Sequence, residues 1–223
     1  MNKLNHVAFI MDGNGRWGKK KRKNRNSGHY AGVKTVKKIV ESSIKYKIPI
    51  VTFYVFSTEN WKRPKTEINF LFSLVSQYFN SELQNVIKNG IKINIIGELN
   101  KLPKKLKLIL KKTIKKTKRN KKILVNLALN YGSKTELVNT IKKIKLKRIT
   151  VNNVKNNLYT KNLPDPDILI RTGGKKRLSN FMLWQLAYAE LYFLDKLWPD
   201  FMPRDLYKIL KHYYKVRRNF GGI

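Results

Sequence analysis

Three short stretches bring together residue types that handle phosphate chemistry. HVAFIMDGNGRW, residues 6–17, runs from an apolar segment into one carboxylate, Asp12, and then into glycines and an arginine. FSTENWKRP, residues 56–64, sets a polar loop after a second apolar segment, and RTGGKKRLSN, residues 171–180, does so after a third. Glycines let backbone amides approach an anion, and arginines supply forked donors for phosphate oxygens. A lone carboxylate can hold Mg²⁺, which takes one or two protein carboxylates together with phosphates and water. Together the stretches describe a diphosphate site. Singly, each also reads as local structure: GNG and RTGG as turns, ENW as a buried Trp beside a capping Asn. GNG is neither the dinucleotide fingerprint nor a P-loop, since no G-K-[ST] follows it.

These loops need a scaffold that brings them to one place. Apolar, β-branched or aromatic runs at Val7 to Met11, Ile50 to Phe56, Ile91 to Ile96, Ile123 to Leu129 and Ile168 to Ile170 read as strands. Several are too continuous to have a solvated face. Helical segments alternate with them at about Gly28 to Tyr46, Lys65 to Asn89, Pro103 to Lys118, Ser133 to Lys145 and Pro203 to Arg218. Gly90 just past a helix, Pro103 in a first turn and the pair Ser133 and Glu136 as a capping box support these boundaries. The alternation predicts an α/β single domain spanning 1–223, with a mainly parallel central β-sheet flanked by helices. In such sheets ligands collect at the carboxyl ends of the strands, where all three loops fall. The polar stretch Lys147 to Asn162 reads as a short helix with loops.

Composition narrows the possibilities. The 223 residues include no cysteine and three histidines, which excludes a disulfide framework or Cys-ligated metal and favours an intracellular setting. No apolar run approaches the roughly 20 residues needed to cross a bilayer, so the protein is expected to be soluble or peripheral. Lys and Arg number 49 against 13 Asp and Glu, a formal charge of +36. Such a field attracts polyanions, whether nucleic acid, an anionic lipid surface or phosphorylated metabolites. A coding bias toward A and T accounts equally well for many of the surface lysines.

HVAFIMDGNGRW, the spacing Arg25-x-x-x-His29 with Gly28 and Gly32, FSTENWKRP, DILIRTGG with RLSNF, and LWQLAYAELYFLDKLWPDF follow one another in an order that resembles the cis-prenyltransferases of the bacterial undecaprenyl diphosphate synthase type. The resemblance extends from His6 to Arg217-Arg218-Asn219-Phe220-Gly221-Gly222, with the region from about Lys142 to Pro164 short and diverged. It implies Mg²⁺-dependent condensation of isopentenyl diphosphate onto an allylic diphosphate, usually farnesyl diphosphate, with new cis double bonds. The expected product is a long-chain polyprenyl diphosphate such as undecaprenyl diphosphate, precursor of the lipid carrier for cell-wall synthesis. The DDxxD motif of trans-prenyltransferases, which the family lacks, is absent here too.

By this resemblance Asp12 is the central catalytic residue and Mg²⁺ ligand, and Glu190 completes the metal site. The amides of Gly13, Asn14, Gly15 and Arg16 hold the allylic diphosphate, helped by Arg25 and His29. Arg171, Arg177 and Ser179, with Leu178 between them, hold isopentenyl diphosphate. Trp17 and Trp61 position the apolar parts of the substrates, and Arg63 orders the second loop, in which Ser57, Thr58 and Glu59 also belong to the substrate site. Asn60 occupies a position described as a proton acceptor, but a carboxamide has no useful basicity near neutrality. An orienting role fits it better, with the proton from C2 of isopentenyl diphosphate passing to pyrophosphate or Asp12. Plainer roles exist for several of these: His29 can cap or pack, Glu190 can be a surface charge, and both tryptophans can be core.

The product needs room to grow. Phe70, Leu71, Leu74, Val75, Tyr78, Phe79, Leu83 and Val86 form an apolar stripe along one helix. Ordinary core packing uses such a stripe, and the resemblance implies that it walls an apolar product tunnel. The segment Leu102 to Lys122, with Leu102, Leu106, Leu110 and Ile114 on one side and lysines elsewhere, is either a solvated basic helix or an element that meets an anionic membrane. Lys175 and Lys176 stand where the family usually has an acidic residue, so Lys175 is expected either to contact the homoallylic diphosphate or to point into solvent. A homodimer is expected from the tail, and a cytoplasmic location with peripheral contact at the inner face of the membrane from the charge. Other functions compatible with the residues are a shorter-chain or noncatalytic member of the same family, or a basic nucleic-acid-binding module suggested by KKKRKNR at Lys19 to Arg25. The module leaves Asp12 and RTGG unexplained, so nucleic acid is not expected as a partner.

Overall fold

The computed structural model describes residues 2–21, 24–144, 149–219 and 222. Outside them lie parts of three sequence expectations: the middle of the basic run Lys19 to Arg25, the junction between the helix ending near Lys145 and the polar stretch after it, and Phe220 and Gly221 of the tail. Strands β1 (His6–Ile10), β2 (Ile50–Ser57), β3 (Ile91–Ile96), β4 (Ile123–Tyr131), β5 (Ile168–Arg171) and β6 (Glu190–Phe193) form one sheet in the order β3-β4-β2-β1-β5-β6. Every neighbouring pair is parallel. The helices are α1 (Asn14–Lys20), α2 (Arg25–Lys45), α3 (Lys65–Lys88), α4 (Lys104–Thr117), α5 (Ser133–Lys143), α6 (Val151–Lys155) and α7 (Pro203–Tyr213), with a 3-10 turn at Thr58–Lys62.

The continuous apolar reading of the strands is explained by position. All five residues of β1 are buried because it lies between β2 and β5 with side chains covered on both faces. On one face Phe9 stacks on Phe53, and Trp198 and Phe201 close over the pair. The other face carries a buried polar chain. Asn94 Nδ2 donates to Asn126 Oδ1 (2.9 Å), and Asn126 Nδ2 donates to Thr52 Oγ1 (3.1 Å). His6 Nδ1 lies 2.9 Å from the Pro164 carbonyl, which can only accept, so Nδ1 carries the proton. Nε2 then accepts from the Thr52 hydroxyl at 2.7 Å. Four side chains from four strands thus run in one donor-to-acceptor direction, which requires His6 to be neutral.

Two elements differ from the sequence expectation. GNGRWGKK forms helix α1 rather than a plain loop, despite glycine's low helix propensity. Packing requires the glycines: a Cβ on Gly28 would lie 1.9 Å from the Asn14 carbonyl oxygen, and one on Gly18 2.3 Å from that of Asn24. Helices α1 and α2 therefore touch backbone to backbone, and α2 begins at Arg25, with the Asn24 side chain accepting from Ser27 N–H at 2.9 Å. The second difference is β6, a short, half-exposed edge strand whose Glu190 interrupts the apolar run. Helix α7 also ends at Tyr213, short of Arg218.

Burial holds the His6 pKa down at about 4, against an ordinary 6.5. Between those values the unfolded chain takes up a proton that the native chain refuses, so stability falls as pH drops from 6.5 to 4. The expected extra loss is about 1.4 kcal/mol per pH unit. Denaturant unfolding of wild type and His6→Asn across this range should show the steeper decline in wild type, and parallel curves would contradict the neutral-His6 chain.

Candidate active site

Parallel pairing aligns the carboxyl ends of β1, β2 and β5, so the loops after them meet at one edge of the sheet. Asp12 leaves β1 and receives Arg171 Nη2 on Oδ2 (3.0 Å) and Arg16 Nη2 on Oδ1 (3.1 Å). The Asp12 main chain is pinned as well, its carbonyl accepting from Thr172 Oγ1 (2.8 Å) and Trp198 N–H (3.0 Å). Gly13 sits at φ 107°, a left-handed conformation that favours glycine, and a Cβ there would meet Leu197 at 2.7 Å. The first and third loops are thereby joined: Arg171 Nη1 also donates to Ser179 Oγ (2.7 Å) and the Arg177 carbonyl, and Arg16 Nη2 to the Gly173 carbonyl (2.8 Å).

A second cluster gathers around Glu67, on the first turn of α3. Arg25 Nε and Nη2 donate to its two oxygens, each at 3.1 Å, and Arg63 Nη1 to Oε1 at 3.0 Å. His29 Nε2 lies 3.4 Å from the same oxygen and has no hydrogen-bond partner. Burial opposes charge on Glu67, but the hydrogen bond from Arg25 and the surrounding cations outweigh it and hold the carboxyl below the usual range. Burial lowers His29, and the Glu67 charge offsets this only in part. Two residues expected at the allylic diphosphate, Arg25 and His29, and Arg63, expected to order the second loop, thus share a carboxylate that sequence reading passed over. Its clue was Glu67 four residues after Arg63, an i,i+4 pair.

The second loop is more mixed. Asn60 Oδ1 accepts from Ser57 N–H at 3.2 Å, which leaves the carboxamide NH₂ as a donor. Glu59 Oε1 accepts from Asn180 Nδ2 at 2.7 Å, tying this loop to the third. Asn180 was not anticipated as a site residue. It is left-handed (φ 61°), between Ser179 (φ 51°) and the turn at Met182 (φ 46°), and its Oδ1 accepts from Lys134 N–H at 2.9 Å. This run of unusual backbone is held by contacts to α5 and to Glu59.

Both tryptophans are held structurally. Trp61 packs edge-on against Phe56 and Phe72 and donates to Asn130 Oδ1 (2.7 Å), and Trp17 donates to Asp200 Oδ1 (2.8 Å). Thr58 starts the 3-10 turn, and Leu178 packs half-buried against a buried apolar cluster that includes Ala8, Ile10, Tyr131, Phe181 and Met182. Lys175 and Lys176 are exposed, in keeping with the solvent reading. Glu190 is not brought to Asp12. It pairs with Ile168 at the amino end of β5, whereas Asp12 contacts Arg171 at the carboxyl end. Three strand residues, roughly 10 Å, separate the levels, and Arg218 Nε lies 4.0 Å from Glu190. Within one chain the two carboxylates do not form a joint metal site, and among the described residues no group of three or more His, Cys, Asp or Glu is placed to hold an ion.

The edge opens into two connected spaces. A polar cleft of about 580 Å³ is lined by Asp12, Asn60, Arg63, Arg171, Arg177 and Ser179, among others. An apolar channel of about 130 Å³ runs beneath it between α2, α3 and the sheet. Met11, Asn14, His29, Val55 and Leu71 line both, so the polar cleft and the apolar channel share a wall. Leu71, Leu74, Val75, Tyr78, Phe79 and Val86 of the expected stripe wall the channel, but Phe70 and Leu83 do not.

Comparison with known proteins agrees with this arrangement. The family described as putative undecaprenyl diphosphate synthase matches residues 10–221. An isoprenyl transferase of Clostridium tetani is 45% identical, over 98% of this chain and 89% of its own, and one of Fusobacterium nucleatum is 43% identical over 98% and 96%. Among solved structures, lavandulyl diphosphate synthase of Lavandula x intermedia in complex with dimethylallyl diphosphate superposes with a TM-score of 0.94 at 33% identity, covering 97% of this chain and 98% of that one. A probable undecaprenyl diphosphate synthase of Campylobacter jejuni gives 0.85 at 37%, covering 99% and 100%. With its diphosphate-type cleft, its apolar channel and near-complete coverage by these relatives, the chain belongs to the undecaprenyl diphosphate synthase family of cis-prenyltransferases.

Proposed function

We propose that the protein condenses isopentenyl diphosphate with an allylic diphosphate, farnesyl diphosphate being the expected primer, to give a cis-polyprenyl diphosphate of undecaprenyl length. The observation that carries this reading is the wall that cleft and channel share at Met11, Asn14, His29, Val55 and Leu71: a diphosphate held at the strand ends would direct its hydrocarbon tail past Met11 and Leu71 into an apolar space. In the reaction the bond between allylic C1 and its diphosphate oxygen breaks. The double bond of isopentenyl diphosphate supplies the electron pair for a new C4–C1 bond, and a proton leaves C2.

The chain's residues divide these tasks. Arg25 and His29, already poised on Glu67, bind the allylic diphosphate beside the amides opening α1, and the freed negative charge stays there as the leaving group. Arg171 and Ser179 fix the second diphosphate next to Asp12, with the Arg177 side chain exposed at the cleft rim. Asn60 orients through its NH₂, since its oxygen is committed to Ser57 N–H. Asp12 is the residue that would hold Mg²⁺. A single oxygen-donor carboxylate, 29% exposed and facing an open cleft, suits a hard cation that keeps most of its waters and takes substrate oxygens. When bound, the ion supplies positive charge to the departing diphosphate.

A growing hydrocarbon needs a lipid destination. No helix among the described residues is long and apolar enough to cross a membrane. A cytoplasmic homodimer that meets an anionic bilayer peripherally accords with the charge of +36.

Incubation with labelled isopentenyl diphosphate, farnesyl diphosphate and Mg²⁺, followed by sizing of the products, tests the reaction, and no incorporation at any Mg²⁺ concentration would overturn it. In that assay Asp12→Asn should lose about 10²–10³-fold in turnover. Its carboxamide oxygen can still accept from Arg171, but the charge opposite that buried guanidinium is lost, so the melting temperature should fall while unfolding stays cooperative; undiminished turnover would remove Asp12 from the mechanism. Leu74→Trp should shorten the product distribution, because Leu74 walls the channel, whereas Leu83→Trp, which lies off it, should not. Unchanged lengths in both would make the channel ordinary core.

A further inference from the structure

The excess positive charge is unevenly distributed. Residues 83–122 carry fourteen lysines and arginines and a single acid, Glu98. All fourteen except Lys107 are exposed. Helix α4 is the centre of this segment: Leu106, Leu110, Thr113 and Thr117 are buried, and the opposite surface is lysine. One residue breaks the pattern. Leu108 is 68% exposed, with Lys104, Lys105, Lys111 and Lys112 at i−4, i−3, i+3 and i+4 around it. An apolar side chain is thus presented to solvent inside a ring of cations.

The position of α4 links this face to the channel. The channel reaches Val86 near the end of α3 and Ile91 and Ile93 at the start of β3, far from the diphosphate loops. Helix α4 packs on α3 and β3. Its last turn and the residues after it are fastened to that strand, Thr117 Oγ1 accepting from Ile93 N–H (3.2 Å) and Asn120 Nδ2 donating to the Ile91 carbonyl (2.8 Å). Exposed Lys88, Lys92, Lys121 and Lys122 flank the same end. A chain growing away from the diphosphates therefore advances toward the basic surface.

From this geometry we infer that α4 and its flanking turns are the membrane-docking face of the protein, lying on an anionic lipid surface with the lysines at the headgroups and Leu108 entering the acyl boundary. The inference rests on the polyprenyl-synthase reading for its purpose, the delivery of an insoluble product, but the surface itself is defined by charge and exposure alone. Lysines near an anionic bilayer attract it additively, and one exposed leucine adds apolar contact that a purely electrostatic patch would lack. Nucleic acid would be met by the same charge, but an apolar side chain at the centre of the patch favours lipid.

Co-sedimentation with vesicles of phosphatidylcholine containing 30% phosphatidylglycerol, and with pure phosphatidylcholine, tests the assignment. Wild type should bind the anionic vesicles. The quadruple variant Lys104→Glu, Lys105→Glu, Lys111→Glu, Lys112→Glu should lose at least tenfold in partitioning, and Leu108→Ser should bind more weakly with the same salt dependence. A control with Lys142, Lys155, Lys161 and Lys208 changed to Glu carries the same charge but should keep most of the binding. Turnover in detergent should be the same in all variants, with thermal unfolding as a check on folding. Equal losses in the two quadruple variants, failure of wild type to bind, or displacement of wild type from the vesicles by duplex DNA at equal charge would overturn the docking face. Absence of turnover in wild type would instead overturn the prenyltransferase reading and leave the vesicle result standing.

Discussion

The guanidinium of Arg171 is only 4% exposed at the end of β5, and a cation so far from water must be met by charge and by acceptors. Asp12, delivered by the adjacent strand β1, provides the charge, and Ser179 with the Arg177 carbonyl provides further acceptors. Removing one member of a buried ion pair typically costs about 3–5 kcal/mol, so this contact fixes the geometry around it. Through it the parallel register of β1 and β5 is converted into the separation of two loops. The left-handed residues Ser179, Asn180 and Met182 are held on one side of the pair, and the Gly13 turn into α1 on the other. The site is thus built as a consequence of pairing two strands, and Arg171 connects the sheet to the chemistry.

A second set of cations is managed differently. Arg25 and His29 from α2 and Arg63 from the turn before α3 converge on Glu67, which offsets their mutual repulsion. Two guanidiniums against one carboxylate leave this corner with a net positive charge. Burial biases His29 toward its neutral form, and the Glu67 charge eases this only in part. Met11, Asn14 and Leu71 stand between a polar cleft and an apolar channel and line both.

Much of this was legible in the residues because the strands are central and parallel. Buried on both faces, β1 reads as an apolar run from Val7 and β4 as one interrupted by Asn126 and Asn130, and the loops after β1, β2 and β5 carried the arginines and glycines. What was hidden depended on contacts between distant segments. Helix α1 is disguised by glycines whose purpose appears only when Gly28 meets the Asn14 backbone, and β6 is a half-exposed edge. Glu67 looked like an ordinary first-turn acid, and its role requires knowing where Arg25 lands. Trp61 and Trp17 gave no sign that their indole N–H groups were already committed to Asn130 and Asp200. The family motif placed Glu190 beside Asp12 in function, whereas the strand register puts them at opposite ends of β5.

The central claim is that one continuous path joins the diphosphate cleft to the apolar channel. A crystal structure of the protein with a thio-substituted, non-reactive farnesyl diphosphate tests it most directly. The account requires the diphosphate between the Asp12 loop and Arg25, with the farnesyl tail passing Met11 and Leu71 toward Leu74 and Tyr78. A tail lying across the outer surface, or a diphosphate bound away from Asp12 and Arg25 while the channel stays closed, would contradict it.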